Sequence, residues 1–182
     1  MAPENSAKSQ GSVSSIFSAS DVLNVLRERG WIAGDVSPEQ VRWCERAAAL
    51  LGAHATDRKA LTELLQMVFR YETGEILSRI ESHVVLSRFA ARDVIRQMAL
   101  YLLDGSPLTA ERFSEMVTVL KTSLQVRGRE LFHPVRLTLA GRAGEGELDR
   151  VILLLDEAAS LGFAAPVKTA RQRVLEFCSA LD

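Results

Sequence analysis

Apolar residues recur at intervals of three and four along most of the chain, the spacing that gathers them on one side of a helix. A first short helix is expected with Val22, Leu23, Val25 and Leu26 apolar, Ser20 as cap and Gly30 as stop, after which Trp31 and Ile32 fold back onto the core. Ser37, Pro38 and Gln40 spell a start signal of cap, first-position proline and capping-box residue. Val41, Cys44, Ala47, Ala48 and Leu51 follow at helical spacing, and Gly52 ends the run. Asp57 caps a helix carrying Leu61, Leu64, Leu65, Val68 and Phe69. Thr73 and Gly74 mark a break, and Ile76, Leu77, Ile80 and Val84 resume the period. A further helix is expected over residues 86–103, closed by the breaker Asp104-Gly105-Ser106-Pro107. Thr109 caps a run with Phe113, Met116, Val117, Leu120 and Leu124. Residues 127–147 read as irregular, with four glycines and Pro134; the alternating stretch 135–139 suits an extended segment or a helical turn. Helices over residues 147–160 and 166–181 close the chain, Pro166 taking a first helical position.

The pattern predicts an all-α, multihelical fold. It divides into a disordered leader at residues 1–16, rich in Ser, Ala, Asn, Gln and Gly, a helical subdomain at 17–106, and a second at 107–182. With 47% hydrophobic and 6% aromatic residues, the core must be built from Leu, Val, Ile and Ala. The net charge of −1 lacks the basic excess of a free-standing nucleic-acid binder, so any RNA contact must rest on a local patch. Cys44 and Cys178 are far apart and outside any CxxC pair, which reads as two buried, reduced thiols. No secretory signal or apolar run of membrane-spanning length is visible, so a cytoplasmic location is expected. No His, Cys, Asp or Glu grouping has metal-ligand spacing, and no GxSxG, P-loop or HExxH element occurs; neither a cofactor nor a metal is expected.

The most specific segment is Gly128-Arg129-Glu130-Leu131-Phe132-His133-Pro134-Val135-Arg136-Leu137-Thr138-Leu139-Ala140-Gly141-Arg142. It resembles a stretch of bacterial glutamyl-tRNA synthetases, where a glycine and basic residue lead into Pro-Leu-Arg and Ala-Leu-Thr-Gly cores. There, a Gly-Pro-Leu element and a leucine-rich helix come next. Here the counterparts are Gly144-Glu145-Gly146-Glu147-Leu148 and the run from Val151 to Leu155, and Arg173-Val174-Leu175-Glu176 resembles the family's last helix. The likeness is close over residues 109–181 and reaches back more weakly to residue 37. Three positions depart from the family: Ala140 replaces threonine, Val135 replaces leucine, and Glu145 stands at a proline position. The lost hydroxyl and the added carboxylate both bear on RNA contact rather than on fold.

The resemblance implies two helical subdomains like the anticodon-binding region of class I aminoacyl-tRNA synthetases. It does not imply ligase chemistry, since no HIGH-type or KMSKS-type motif and no Rossmann core is present; Leu51-Gly52-Ala53-His54 does not fit the first. Candidate RNA contacts are Lys121, Arg127, Arg129, His133, Arg136 and Arg142, an excess of four positive charges over residues 121–142. Arg136, inside an apolar stretch, equally suits bonding to helix C-terminal carbonyls. Arg127, Arg129 and Arg142 suit RNA contact or plain solvation alike, and His133 suits base stacking or packing beside the loop. Arg88, Arg92 and Arg96, four residues apart, form a second basic face whose simpler reading is a solvated one paired with Glu81 and Asp93. The expected function is a non-catalytic tRNA-binding or translation-accessory module, with tRNA or a translation enzyme as partner. The alternative is a helical protein-interaction scaffold that no longer binds tRNA.

Overall fold

A computed structural model describes residues 16–182; the leader expected at residues 1–16 lies outside them except for Ile16. Every regular element among the described residues is helical. They are α1 (Ala19–Glu28), α2 (Pro38–Leu51), α3 (Arg58–Phe69), α4 (Thr73–Ser78), α5 (Ile80–Leu86), α6 (Ala91–Leu102), α7 (Ala110–Leu124), α8 (Arg129–Ala140), α9 (Glu147–Ile152), α10 (Leu155–Ala159) and α11 (Ala170–Leu181), with a 3₁₀ turn at Gly52–His54.

Helix starts follow local side-chain chemistry. Ser37 accepts from the Gln40 N–H while Gln40 reaches back to the Ser37 N–H, the expected reciprocal cap. Asp57 and Thr109 cap α3 and α7 as expected. Two starts move. The first helix is capped by Ser18 rather than Ser20, because the residue three beyond Ser18 is Asp21, which completes a capping box, whereas the one three beyond Ser20 is Leu23. The last helix opens at Ala170, not at Pro166, because Thr169 and Gln172 form the box there.

Three segments break where periodicity alone showed continuity. Thr73 and Gly74 lie inside α4, and a single extended residue, Arg79, separates α4 from α5. The helix expected over residues 86–103 is interrupted: α5 ends at Leu86, residues 87–90 turn, and α6 starts at Ala91. The expected 147–160 helix divides into α9 and α10. Arg46 donates to the Leu153 carbonyl at 3.4 Å, where the helical ladder lapses, and the indole of Trp43 donates at 3.1 Å to the Leu154 carbonyl, which also accepts the Ala158 N–H.

The largest revision concerns residues 127–147, read as irregular from their glycines and proline. Residues 129–140 form α8, the best buried helix of the chain, with every residue from Pro134 to Ala140 inside. The apparent alternation at 135–139 arises because two polar residues, Arg136 and Thr138, face the interior of a helix buried all round. Pro134 removes one N–H, leaving the carbonyl of exposed Glu130 without its helical donor. The Thr138 hydroxyl donates to the Pro134 carbonyl at 2.8 Å. Gly141 then ends α8 in the left-handed region at φ 84°, and a Cβ there would stand 3.2 Å from Ile76 Cδ1. The positive φ is what calls for glycine, and the tight approach of the Ile76 side chain adds to it.

The last carbonyls of α8, which lack helical donors, are met by other segments. The Tyr71 hydroxyl donates to Thr138 at 2.6 Å, Arg173 Nη1 to Leu139 at 2.9 Å and Arg79 Nη1 to Gly141 at 2.9 Å. Arg173 is fully buried and also donates to Met67 and Val68 in the last turn of α3, and to Lys168. Its guanidinium lies over the Tyr71 ring at 4.6 Å. Burial pushes that guanidinium down to about 10, still far above neutrality, so it stays charged. The same burial pushes the Tyr71 phenol up.

Four of the aromatics meet at one place. Trp31 stacks on Phe69 at 4.9 Å, and Trp43 and Phe163 meet Phe69 edge-on, closing α1, α2 and α3 over the 163 loop. The 104–107 breaker is a turn between α6 and α7, and helices on both sides of it share one buried cluster, α6 packing on α8 and α11. Asp156 accepts the Leu108 and Ala170 N–H groups at 2.7 and 2.8 Å, while Glu157 pairs with Arg46. Both thiols are unpaired, Cys44 buried and Cys178 half-buried. No described helix is long and apolar enough to cross a membrane.

Candidate nucleic-acid interface

The basic residues of the 121–142 window do not form one patch; α8 distributes them. Arg127 and Arg129 flank its N-terminus, where Gly128 provides no side-chain cap, and both are exposed. Lys121 is exposed in the last turn of α7. Arg142 lies beyond the other end of α8. At a rise of about 1.5 Å per residue the two ends are roughly 17 Å apart, so no single phosphate meets both. None of Lys121, Arg127, Arg129 and Arg142 enters an ion pair among the described residues.

Arg136 is placed inside. Its Nε and Nη2 grip both Asp149 oxygens at 2.8 and 3.0 Å, its Nη1 donates to the Gly144 carbonyl at 3.0 Å, and it covers the Phe132 ring at 4.7 Å. It braces the loop at residues 141–146 against α9 and offers solvent little of its charge. The role of bonding helix C-terminal carbonyls falls instead to Arg173, whose place in an amphipathic run gave no sign of it.

His133 joins the two basic groups. Its Nδ1 stands 2.7 Å from Arg88 Nη1. Since a guanidinium only donates, Nδ1 accepts and the proton of the neutral ring sits on Nε2. Partial burial, followed by the charges of Arg88 and Arg129, holds the His133 pKa below its ordinary value near 6.5, against a smaller pull from Glu145. The imidazole is therefore neutral at physiological pH. Arg88 is not part of a helical stripe with Arg92 and Arg96: it belongs to the 87–90 turn, half-buried against α8, whereas Arg92 and Arg96 are exposed on α6. Neither Glu81 nor Asp93 pairs with any of the three; Glu81 accepts the Ala143 N–H at 3.1 Å.

The two ends of α8 differ electrostatically. Near its start, Arg88, Arg127 and Arg129 outnumber the exposed carboxylates Glu130 and Glu145. Near its end, Arg142 lines a cavity of about 380 Å³ between α3, α4 and the 140–142 segment, together with Arg70, Arg79 and the acids Glu63, Glu72, Glu75 and Glu81. That cleft is mixed in sign and slightly acidic. Among the described residues no group of three or more His, Cys, Asp or Glu could hold a metal ion.

No protein-family model matches the chain. Among curated proteins it is similar to the glutamate–tRNA ligase of Geobacillus stearothermophilus, 25% identical over 130 residues, covering 71% of this chain and 26% of that protein. It is 24% identical over 140 residues to that of Exiguobacterium sibiricum, covering 77% and 28%, and 21% identical over 136 residues to that of Bacillus subtilis, covering 75% and 28%. The chain thus spans about a quarter of the length of the curated relatives it matches. A matched stretch of 130 residues cannot fit within residues 109–181, so the similarity extends beyond the motif into the preceding helices.

Proposed function

We propose that this chain binds tRNA as a non-catalytic module related to the glutamate–tRNA ligases, through the surface at the start of α8. The observation that carries the reading is the division of labour among the arginines of the similar segment. Arg136 is spent on internal bonds, while Lys121, Arg127, Arg129 and Arg142 stay exposed and without an ion pair among the described residues. A fold that needed these cations for its own stability would have tied them to carboxylates or carbonyls, as it does Arg136 and Arg173. Solvated arginines beside an uncapped helix N-terminus suit phosphate, which guanidinium forks and free N–H groups both bind.

The net charge of −1 and the acids beside Arg142 set the expected scale. Binding should be modest and strongly salt-dependent, because few phosphates are neutralised. Purified protein titrated with labelled total tRNA between about 50 and 200 mM salt tests this. Salt-sensitive binding that is lost in the Arg129→Glu/Arg142→Glu double variant supports the reading. Absence of binding at the lowest salt refutes it. The second reading, a protein-interaction scaffold, draws on Glu145 and the mixed-charge cleft, and requires a stable partner retained by that double variant.

A further inference from the structure

We infer that Phe89 is a stacking platform for an unpaired RNA base at the basic edge beside α8, an inference that rests on the tRNA-binding reading and names a contact within it. Phe89 has a relative exposure of 103%, so its ring covers nothing of its own chain. Burial of such a ring is among the larger favourable terms a core can collect. Here neighbours on both sides are used that way, Val85 at 2% and Ala91 at 1% exposure, while the ring between them is left in water.

The segment that presents it is held in place. Ser87 N–H donates to His83 at 3.0 Å, Arg88 N–H to Val85 at 3.2 Å and Ala91 N–H to Arg88 at 3.2 Å, while the Ser87 hydroxyl donates to Val84 at 2.8 Å. The next side chain, Arg88, is fixed to His133 of α8 at 2.7 Å. That contact sets the ring's backbone next to the cluster formed by Arg88, His133 and Arg129, with exposed Arg92 on the following turn. The charge around the ring selects its occupant. Single-stranded RNA is recognised by planar side chains that stack on unpaired bases while cations hold the adjoining phosphates. An apolar protein surface would instead have to desolvate Arg88, Arg92 and Arg129, whose charge the nearby Glu130 and Glu145 only partly offset.

The test compares the full chain with Phe89→Ala, Phe89→Trp and Arg129→Gln on two probes, a short unstructured RNA oligonucleotide and an RNA duplex of the same length. Phe89→Ala is expected to weaken single-strand binding about tenfold with an unchanged slope of log K against log salt. It should leave the duplex unaffected, and Phe89→Trp should restore binding. Arg129→Gln should weaken both probes and flatten the single-strand salt slope by about 0.7, the share of one phosphate contact. Single-strand binding by the wild type that Phe89→Ala leaves intact overturns the stacking role while the tRNA-binding reading stands, and would assign the ring, with exposed Ile80 and Val84, to an apolar protein surface. Failure of the wild type to bind either RNA overturns both.

Discussion

Arg173 joins three chain segments, and its removal tests whether they are held by one side chain. Arg173→Ala deletes bonds to the carbonyls of Met67, Val68, Leu139 and Lys168, at 2.9, 2.7, 2.9 and 3.1 Å. Three of these carbonyls belong to the last turns of α3 and α8, which have no helical donors to fall back on. A buried acceptor left unsatisfied costs about 1–3 kcal/mol; taking the low end for four of them gives about 4 kcal/mol, and the lost stack on Tyr71 adds about 1 kcal/mol. Against this, the variant no longer has to strip water from a cation, a gain of several kcal/mol. The cavity left where this fully buried side chain stood costs a further 2–5 kcal/mol or about that, so the expected net loss is about 3–5 kcal/mol. Arg173→Lys keeps the charge but concentrates its donors at one point, so it cannot reach four carbonyls from three segments. It should lie between, near a loss of about 2 kcal/mol. Urea unfolding followed by far-ultraviolet circular dichroism measures both. A domain of this size has about 5–15 kcal/mol in total, so the alanine variant should be marginal. Losses below about 1 kcal/mol in both variants would show that the bonds only offset the cost of burying the charge, and the argument would fail.

Two further perturbations separate bracing from binding. Arg136→Met should lower stability by about 2–3 kcal/mol, through the loss of the paired grip on Asp149 and the tether to Gly144, while leaving the salt slope of RNA binding unchanged; a reduced slope would mean that Arg136 meets phosphate after all. For His133, the folded pKa lies below the ordinary value, so the unfolded chain takes up its proton first as pH falls. The stability from the neutral ring is therefore complete above about 6.5 and is lost as the pH falls from there through the folded value. Thermal melts on acidification should show that loss setting in below about 6.5, and His133→Asn, whose amide oxygen can still accept from Arg88, should abolish it. A His133 midpoint above 6.5 by nuclear magnetic resonance titration would overturn the assignment of Arg88 as a donor to a neutral ring.

The helical class and most helix bodies were legible because burial in this chain follows the three-and-four spacing, as α3 shows: each of its five apolar-stripe residues is buried. The boundary at Ser37 was legible because cap and capping-box partner stand beside a first-position proline, whereas the equally local boxes Ser18/Asp21 and Thr169/Gln172 were masked by the competing signals Ser20 and Pro166. Other boundaries were lost where a break has a tertiary cause. Nothing local to Leu153 and Leu154 announces that Trp43 and Arg46, more than a hundred residues earlier, donate to their carbonyls. Residues 129–140 failed for a related reason. Proline and glycine suggest loop, and alternation suggests strand, but both rules assume that polar residues face water. Arg136 and Thr138 do not, because Asp149, Gly144 and Pro134 satisfy them inside.

The same limit governs the site. A charge count over residues 121–142 treats five cations as one feature, yet the helix between them sends one inward and separates the rest by its own length. What remains at the N-terminal end is enlarged by a residue outside the window, since Arg88 arrives from the 87–90 turn through His133. What remains at the C-terminal end is diminished by acids from α3, α4 and α5. The two charge reversals of the tRNA test are therefore unequal. Arg129→Glu removes a cation from a positive neighbourhood, while Arg142→Glu adds a carboxylate to a cleft that already holds four. If the start of α8 is the RNA-facing end, the single Arg129→Glu variant should account for most of the loss seen in the double variant. If Arg142→Glu alone accounts for it, the interface belongs to the cleft, and the loop at residues 141–146 that Arg136 braces becomes the element that positions it.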